Sequence, residues 1–338
     1  MTGAATPGRI LAIRVGRGGD LVMITPALRM LLDALPETEL HLVTTLEGRR
    51  FLKGFDPRLT EFHLYHRGFF ESRRLRGPLL EALRAAAYDR AYVFETHPHY
   101  RDRFAGVAPE FHVLGDDPGP RHYSERCMDL VAATLACPPA RGWLTLPVTE
   151  AGRAAARDYL AAHGVEADAW LVGLHLTFSE TGRGVLGSAS GRRHREWPGE
   201  ACGELARMLH AHGRERGIAV RPVLDVLPRD LKRAMAMLGR AGDAVTVLSG
   251  APDFERYKAV LERLRLLVAP NTGPMHVAAA VGTPVVALFS GWSPADCGPF
   301  APPGRARVLR AEDQPDPGCG LAALSAATVY EACRPFLP

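Results

Sequence analysis

The stretch that most constrains this chain is Leu266–Phe289, LLVAPNTGPMHVAAAVGTPVVALF. Leu266–Ala269 has the length and composition of a strand buried in a parallel sheet. The polar break Asn271-Thr272-Gly273-Pro274 follows; Asn271 or Thr272 can cap a helix, and Pro274 suits a first turn that needs no backbone N–H. Met275–Val281 predicts a helix apolar on most sides, ended by Gly282, and Val285–Phe289 a further strand. Strand, turn, helix and strand make half of a doubly wound nucleotide fold. The turn at Thr272 and Gly273 aims backbone N–H groups and a positive dipole end beyond the strand, and His276 can add a donor. Phosphate is the natural guest of such a turn, unless its residues serve only to cap the helix.

The N-terminal stretch repeats the pattern. Arg9–Val15 predicts a strand, Gly16-Arg17-Gly18-Gly19-Asp20 a sharp turn, and Leu21–Leu35 a helix. The dinucleotide fingerprint G-x-G-x-x-G fails here, because Leu21 stands at the third glycine and Asp20 would repel a pyrophosphate. No Walker sequence occurs. Asp20 is therefore either a helix cap or a carboxylate presented to a cleft. Further strands are expected near Glu61–Leu64, Ala91–Glu95 and Phe111–Leu114, with helices at Leu75–Ala87 and Tyr123–Ala136. The Pro-rich segment Pro138–Pro147 reads as a domain boundary. A second alternating series then runs from a helix at Glu150–His163 through strands at Trp170–Leu176, Ile218–Leu224 and Val245–Leu248. Such alternation predicts an α/β protein of two Rossmann-like, doubly wound parallel-sheet domains.

Composition narrows the function. A chain of 338 residues suits two ordinary domains. A formal charge of +4 is too small to argue for a nucleic-acid partner, and no recognition motif for one occurs. No apolar run is long enough to span a membrane, and the N-terminus lacks a signal-peptide pattern, so a cytoplasmic chain is expected. The six cysteines form no C-x-x-C pair and are expected to be reduced thiols. His97-Pro98-His99 offers too few ligands for a metal. The arginine-rich run from Arg67 to Arg103 is either a solvated face or a surface that attracts an anionic acceptor.

Two of these stretches, Gly19-Asp20 with its flanks and Thr272–Phe289, resemble the signatures of glycosyltransferase family 9, the ADP-heptose lipopolysaccharide heptosyltransferases. One departure is Asn271, which stands where the family has Asp. A second is Arg195, which replaces Lys in a Lys-x-Trp-Pro element within the Gly-, Ser- and Arg-rich segment 177–197. The resemblance implies the GT-B architecture, with an acceptor domain over 1–148, a nucleotide-sugar domain over 149–324, and a last helix over 325–338 that returns to the first domain. It implies an ADP-sugar co-substrate with no further cofactor, and a hydroxyl of an anionic, glycolipid-like acceptor met peripherally at the inner face of the membrane. Asp20 would be the catalytic base. Asn271, Thr272, Gly273, His276 and Arg195 would hold the donor, with Gly18, Gly19, Arg192 and Arg193 as loop candidates. Arg can clamp a phosphate with two hydrogen bonds where Lys supplies a point charge. No D-x-D triplet occurs, so a divalent metal need not neutralise the diphosphate. The same pattern leaves room for a protein or small-molecule acceptor, for a nucleotide-sugar epimerase, and for a binding protein without chemistry.

Overall fold

The computed structural model describes residues 8–66, 69–115, 119–176 and 196–338, with the backbone alone at 69–73 and 241. The chain divides into two compact units, Met1–Pro147 and Val148–Pro338.

The first unit is a parallel sheet of β1 (Arg9–Ile13), β2 (Glu39–Thr44), β3 (Leu59–Leu64), β4 (Arg90–Val93) and β5 (Glu110–Val113) in the order β3-β2-β1-β4-β5. The register sets Ile13 beside Val43 on one side and Val93 on the other. β1 and β4 are apolar and buried almost throughout, as strands covered on both faces must be. The expected helix over Leu21–Leu35 is two helices, Gly18–Met23 and Thr25–Ala34. Pro26 is the cause: it has no N–H for the upstream carbonyl and its ring clashes there, so the helix restarts with Pro in its first turn. Thr25 Oγ1 donates to Val22 O at 2.7 Å and secures the joint.

The second unit contains β6 (Trp170–Leu174), β7 (Val220–Val226), β8 (Thr246–Ser249), β9 (Leu266–Pro270), β10 (Val285–Phe289) and β11 (Ala306–Arg310), all parallel, in the order β11-β10-β9-β6-β7-β8. Every residue of β9 and β10 is buried. The helix Gly273–Ala280 between them buries six of its residues, and Gly282 beyond it has φ 85°. Trp197 is buried and its Nε1 donates to Leu324 O at 2.8 Å, which ties the start of the helix Gly199–Arg216 to the segment before the last helix. That last helix, Ala326–Cys333, builds Val329, Ala332 and Cys333 into the core of the second unit. Among the described residues, no helix is long and apolar enough to cross a membrane.

Candidate active site

Both sheets reverse their winding beside their first strand, between β1 and β4 and between β6 and β9. In an open parallel sheet such a switch point leaves a crevice beyond the strand ends, where ligands bind. The sequence candidates that can be described fall at these two places, Asp20 just after β1 and Asn271 just after β9.

At the first switch point Arg14 is the central group. Its Nη1 lies 2.9 Å from Glu95 Oε2 and its Nη2 lies 3.5 Å from Asp20 Oδ1. The guanidinium carbon sits 4.6 Å from the centre of the Tyr123 ring, and the Tyr123 hydroxyl donates to Phe94 O. Burial by itself would lower the Arg14 pKa; the electrostatic pull of the Tyr123 oxygen and of the Glu95 and Asp20 carboxylates outweighs it and raises the pKa, so Arg14 stays a cation. Burial drives the Tyr123 hydroxyl well above its ordinary value and pushes the adjacent Cys127 thiol up to about 12, so neither supplies a base at neutral pH.

Two carboxylates converge here, and exposure separates their roles. The Glu95 side chain is 10% exposed and is already engaged by Arg14 and by the Val15 N–H at 2.5 Å. The Asp20 side chain is 37% exposed. Its Oδ2 accepts the Arg17 N–H at 2.8 Å, which fixes the carboxylate and leaves lone pairs on Oδ1 for an incoming proton. None of Gly16, Gly18 and Gly19 takes a positive φ, so no left-handed backbone is needed here, and Gly16 and Gly18 serve the turn by leaving space. A Cβ on Gly16 would come 2.3 Å from Asp20 Cβ, and one on Gly18 would come 2.4 Å from the Phe51 ring.

At the second switch point Thr272 caps the helix Gly273–Ala280 through its backbone, while its Oγ1 turns back to Pro270 O at 3.1 Å. With Pro274 in the first turn, the N–H groups of that end point past β9. Asn271 is half-buried; its backbone N–H donates to Leu288 O at 3.0 Å and its Nδ2 lies 3.4 Å from Cys297 Sγ. Asn271, Thr272, Ser290 and Trp292 line one small cavity. His276 is only 4% exposed and belongs to the packed side of its helix. Across the switch point, at the end of β6, burial lowers the His175 pKa to about 4, so this imidazole is neutral. Gly291 donates to Glu312 Oε1 at 2.6 Å, which holds the loop after β10 and keeps the Glu312 carboxyl below its usual range.

Arg192, Arg193 and Arg195 lie outside the described residues. Arg14, Glu95 and Cys297 are contacts that sequence reasoning missed. A charged residue at the end of the otherwise apolar run RILAIRV was the available signal for Arg14. Nothing in the local sequence marks Cys297 as a neighbour of Asn271.

The fold is that of GT-B-type sugar transferases. A glycosyl transferase family 9 structure from Veillonella parvula has a TM-score of 0.77 and 20% identity, with 97% of each chain covered. The E. coli heptosyltransferase WaaC with ADP has a TM-score of 0.69 at 20% identity, covering 97% of this chain and 99% of that one. The family model for glycosyltransferase family 9 (heptosyltransferase) matches residues 100–318, and the chain belongs to that family. In sequence it is also similar to the lipopolysaccharide core heptosyltransferase OpsX of Haemophilus influenzae, 22% identical over 116 residues. That match spans 34% of this chain and about a third (32%) of the curated relative's length.

Proposed function

We propose that this family 9 member moves a heptose from an ADP-sugar to a hydroxyl of a lipopolysaccharide-core-like acceptor in a single inverting displacement. The observation that carries the proposal is the asymmetry of the two carboxylates at the first switch point, with Glu95 committed to the fold and Asp20 held but open. Asp20 takes the proton of the acceptor hydroxyl as that oxygen attacks the anomeric carbon. The N–H groups at Thr272 and Gly273 stabilise charge on the departing ADP, a role for which a helix N-terminus is suited. Arg195 assists them. His276 supports the turn from within. The resemblance to a heptosyltransferase solved with ADP favours an adenine nucleotide.

The test is ADP release from ADP-heptose with and without a deacylated core oligosaccharide, with NMR of the product's anomeric centre. Release that depends on the acceptor, with inversion, supports the proposal. Retention of configuration, or turnover of the nucleotide sugar without an acceptor, would overturn it.

A further inference from the structure

His41 on β2 and Glu61 and His63 on β3 take no part in the chemistry above, yet they form a compact set of ligand atoms. The register places His41 beside Glu61, and alternation along β3 puts His63 on the same face as Glu61. One ligand atom from each of the three lies within 4.8 Å of the other two, and among the described residues no other group of His, Cys, Asp or Glu does this. His41 Nδ1 is 3.5 Å from Glu61 Oε2, and His63 Nδ1 is 3.6 Å from Glu61 Oε1. Ligands at zinc's usual distances of about 2.0–2.1 Å in a tetrahedron stand about 3.3 Å apart, so small side-chain rotations close the set.

The far nitrogens also have oxygens to meet. His63 Nε2 is 2.7 Å from Tyr88 Oη, and His41 Nε2 is 3.7 Å from Glu39 Oε2. A hydroxyl and a carboxylate behind the two imidazoles are what orient histidine ligands in metal sites. Tyr88 Oη is also 2.8 Å from His41 Nδ1. With one hydrogen it donates to one ring and accepts from the other. If it accepts from His63 and donates to His41, the His63 Nδ1 lone pair already faces Glu61. A cation need only replace the Tyr88 proton at His41 Nδ1.

We infer that His41, Glu61 and His63 form a binding site for a divalent transition-metal ion, zinc by preference, with water in the fourth position. Two imidazoles and one carboxylate suit zinc, whereas calcium and magnesium prefer oxygen ligands throughout. The site lies away from the Asp20 turn: His41 is in the first half of β2, whereas Asp20 follows the C-terminal end of β1. Its effect is to clip β3, at the edge of its sheet, to β2.

The experiment uses the full chain carrying Cys137→Ser and Cys319→Ser, which removes the two exposed thiols as competing ligands. The chain is stripped with a chelator and titrated with Zn²⁺ by calorimetry, and with Co²⁺ by visible absorption. One equivalent should bind, with the d–d bands of tetrahedral cobalt, and zinc at a hundred times Kd should raise Tm by about 5–10 °C. Glu61→Gln, at an exposed carboxylate, should weaken binding at least tenfold while leaving the circular dichroism spectrum unchanged; His63→Gln should do the same. Absence of stoichiometric binding would overturn the inference, as would affinity that neither substitution alters.

Discussion

Arg14 and Glu95 stand 81 positions apart in the chain and meet at 2.9 Å, joined by the parallel pairing of β1 with β4. This pair fixes the guanidinium whose other nitrogen reaches Asp20, so the sheet register itself sets the position of the proposed base.

Asp20→Asn should leave the fold intact, since an amide oxygen can still accept the Arg17 N–H at the start of the helix. Turnover should fall about 10²–10⁴-fold, the usual worth of a general base, with ADP affinity nearly unchanged. Steady-state kinetics beside calorimetry with ADP make the measurement. A near-normal kcat removes Asp20 from the mechanism.

Glu95→Gln separates positioning from folding. Gln keeps an acceptor for the Val15 N–H but no longer neutralises Arg14. Arg14 then keeps Asp20 as its carboxylate partner but loses the contact that holds its guanidinium in place. kcat should fall severalfold or more, because a base held less firmly is less often in line with the proton it takes, while ADP affinity and the circular dichroism spectrum stay as in the parent. Lower stability with an unchanged kcat would mean that Glu95 only supports the fold.

Asn271→Asp restores the carboxylate that the family resemblance places after β9. Beside the helix N-terminus and the thiol of Cys297, the charge should repel the diphosphate and accept hydrogen bonds from sugar hydroxyls. The ratios of kcat/KM among ADP-sugars should change, and affinity for ADP alone should stay level or fall. If the ratios of the two proteins coincide, Asn271 serves only the turn.

Asp56 supports the first unit by charge pairing. It accepts from Arg29 Nη1 at 2.7 Å, from Arg58 N at 2.9 Å and from Arg58 Nε at 3.0 Å. Burial would raise its pKa, but the hydrogen bonds from Arg58 and Arg29 prevail and lower it. A lowered folded value means that this stability is present above the ordinary aspartate range near 4 and is lost as pH falls through the folded value. Asp56→Asn should cost about 1.5–3 kcal/mol in chemical denaturation at neutral pH. The gap should close in acid, once Asp56 is protonated in the fold.

The sequence exposed most of this architecture because its strands are apolar runs and its helix starts carry Gly, Thr and Pro. Leu266–Phe289 reads almost as it folds, since β9 and β10 are buried on both faces and have no polar side to confuse the pattern. β11 escaped notice because Ala306–Arg310 is an edge strand, and Arg307 and Arg310 interrupt its apolar signal. Pro26 divides the predicted helix Leu21–Leu35, and an apolar pattern that continues on both sides of it gives no sign of the break. At the proposed site, the place of Asp20 directly after β1 was legible from its own turn. Its partners were not: which residue of β4 lies beside β1 depends on strand order, and local pattern carries no information about that.

Gly16 bears on how this turn can be altered. Because the methyl of an alanine there would occupy the space of the Asp20 side chain, positions 16 and 20 cannot be varied independently. In a saturation library scored by activity, Gly16 should appear as intolerant as the acid it faces, although it offers no functional group to any substrate. Gly18, hemmed in by Phe51, should recover only alongside a smaller residue at 51. Under the proposed function, redesign of the acceptor specificity therefore has the most freedom on elements other than this turn, whose shape is dictated by its own side chains.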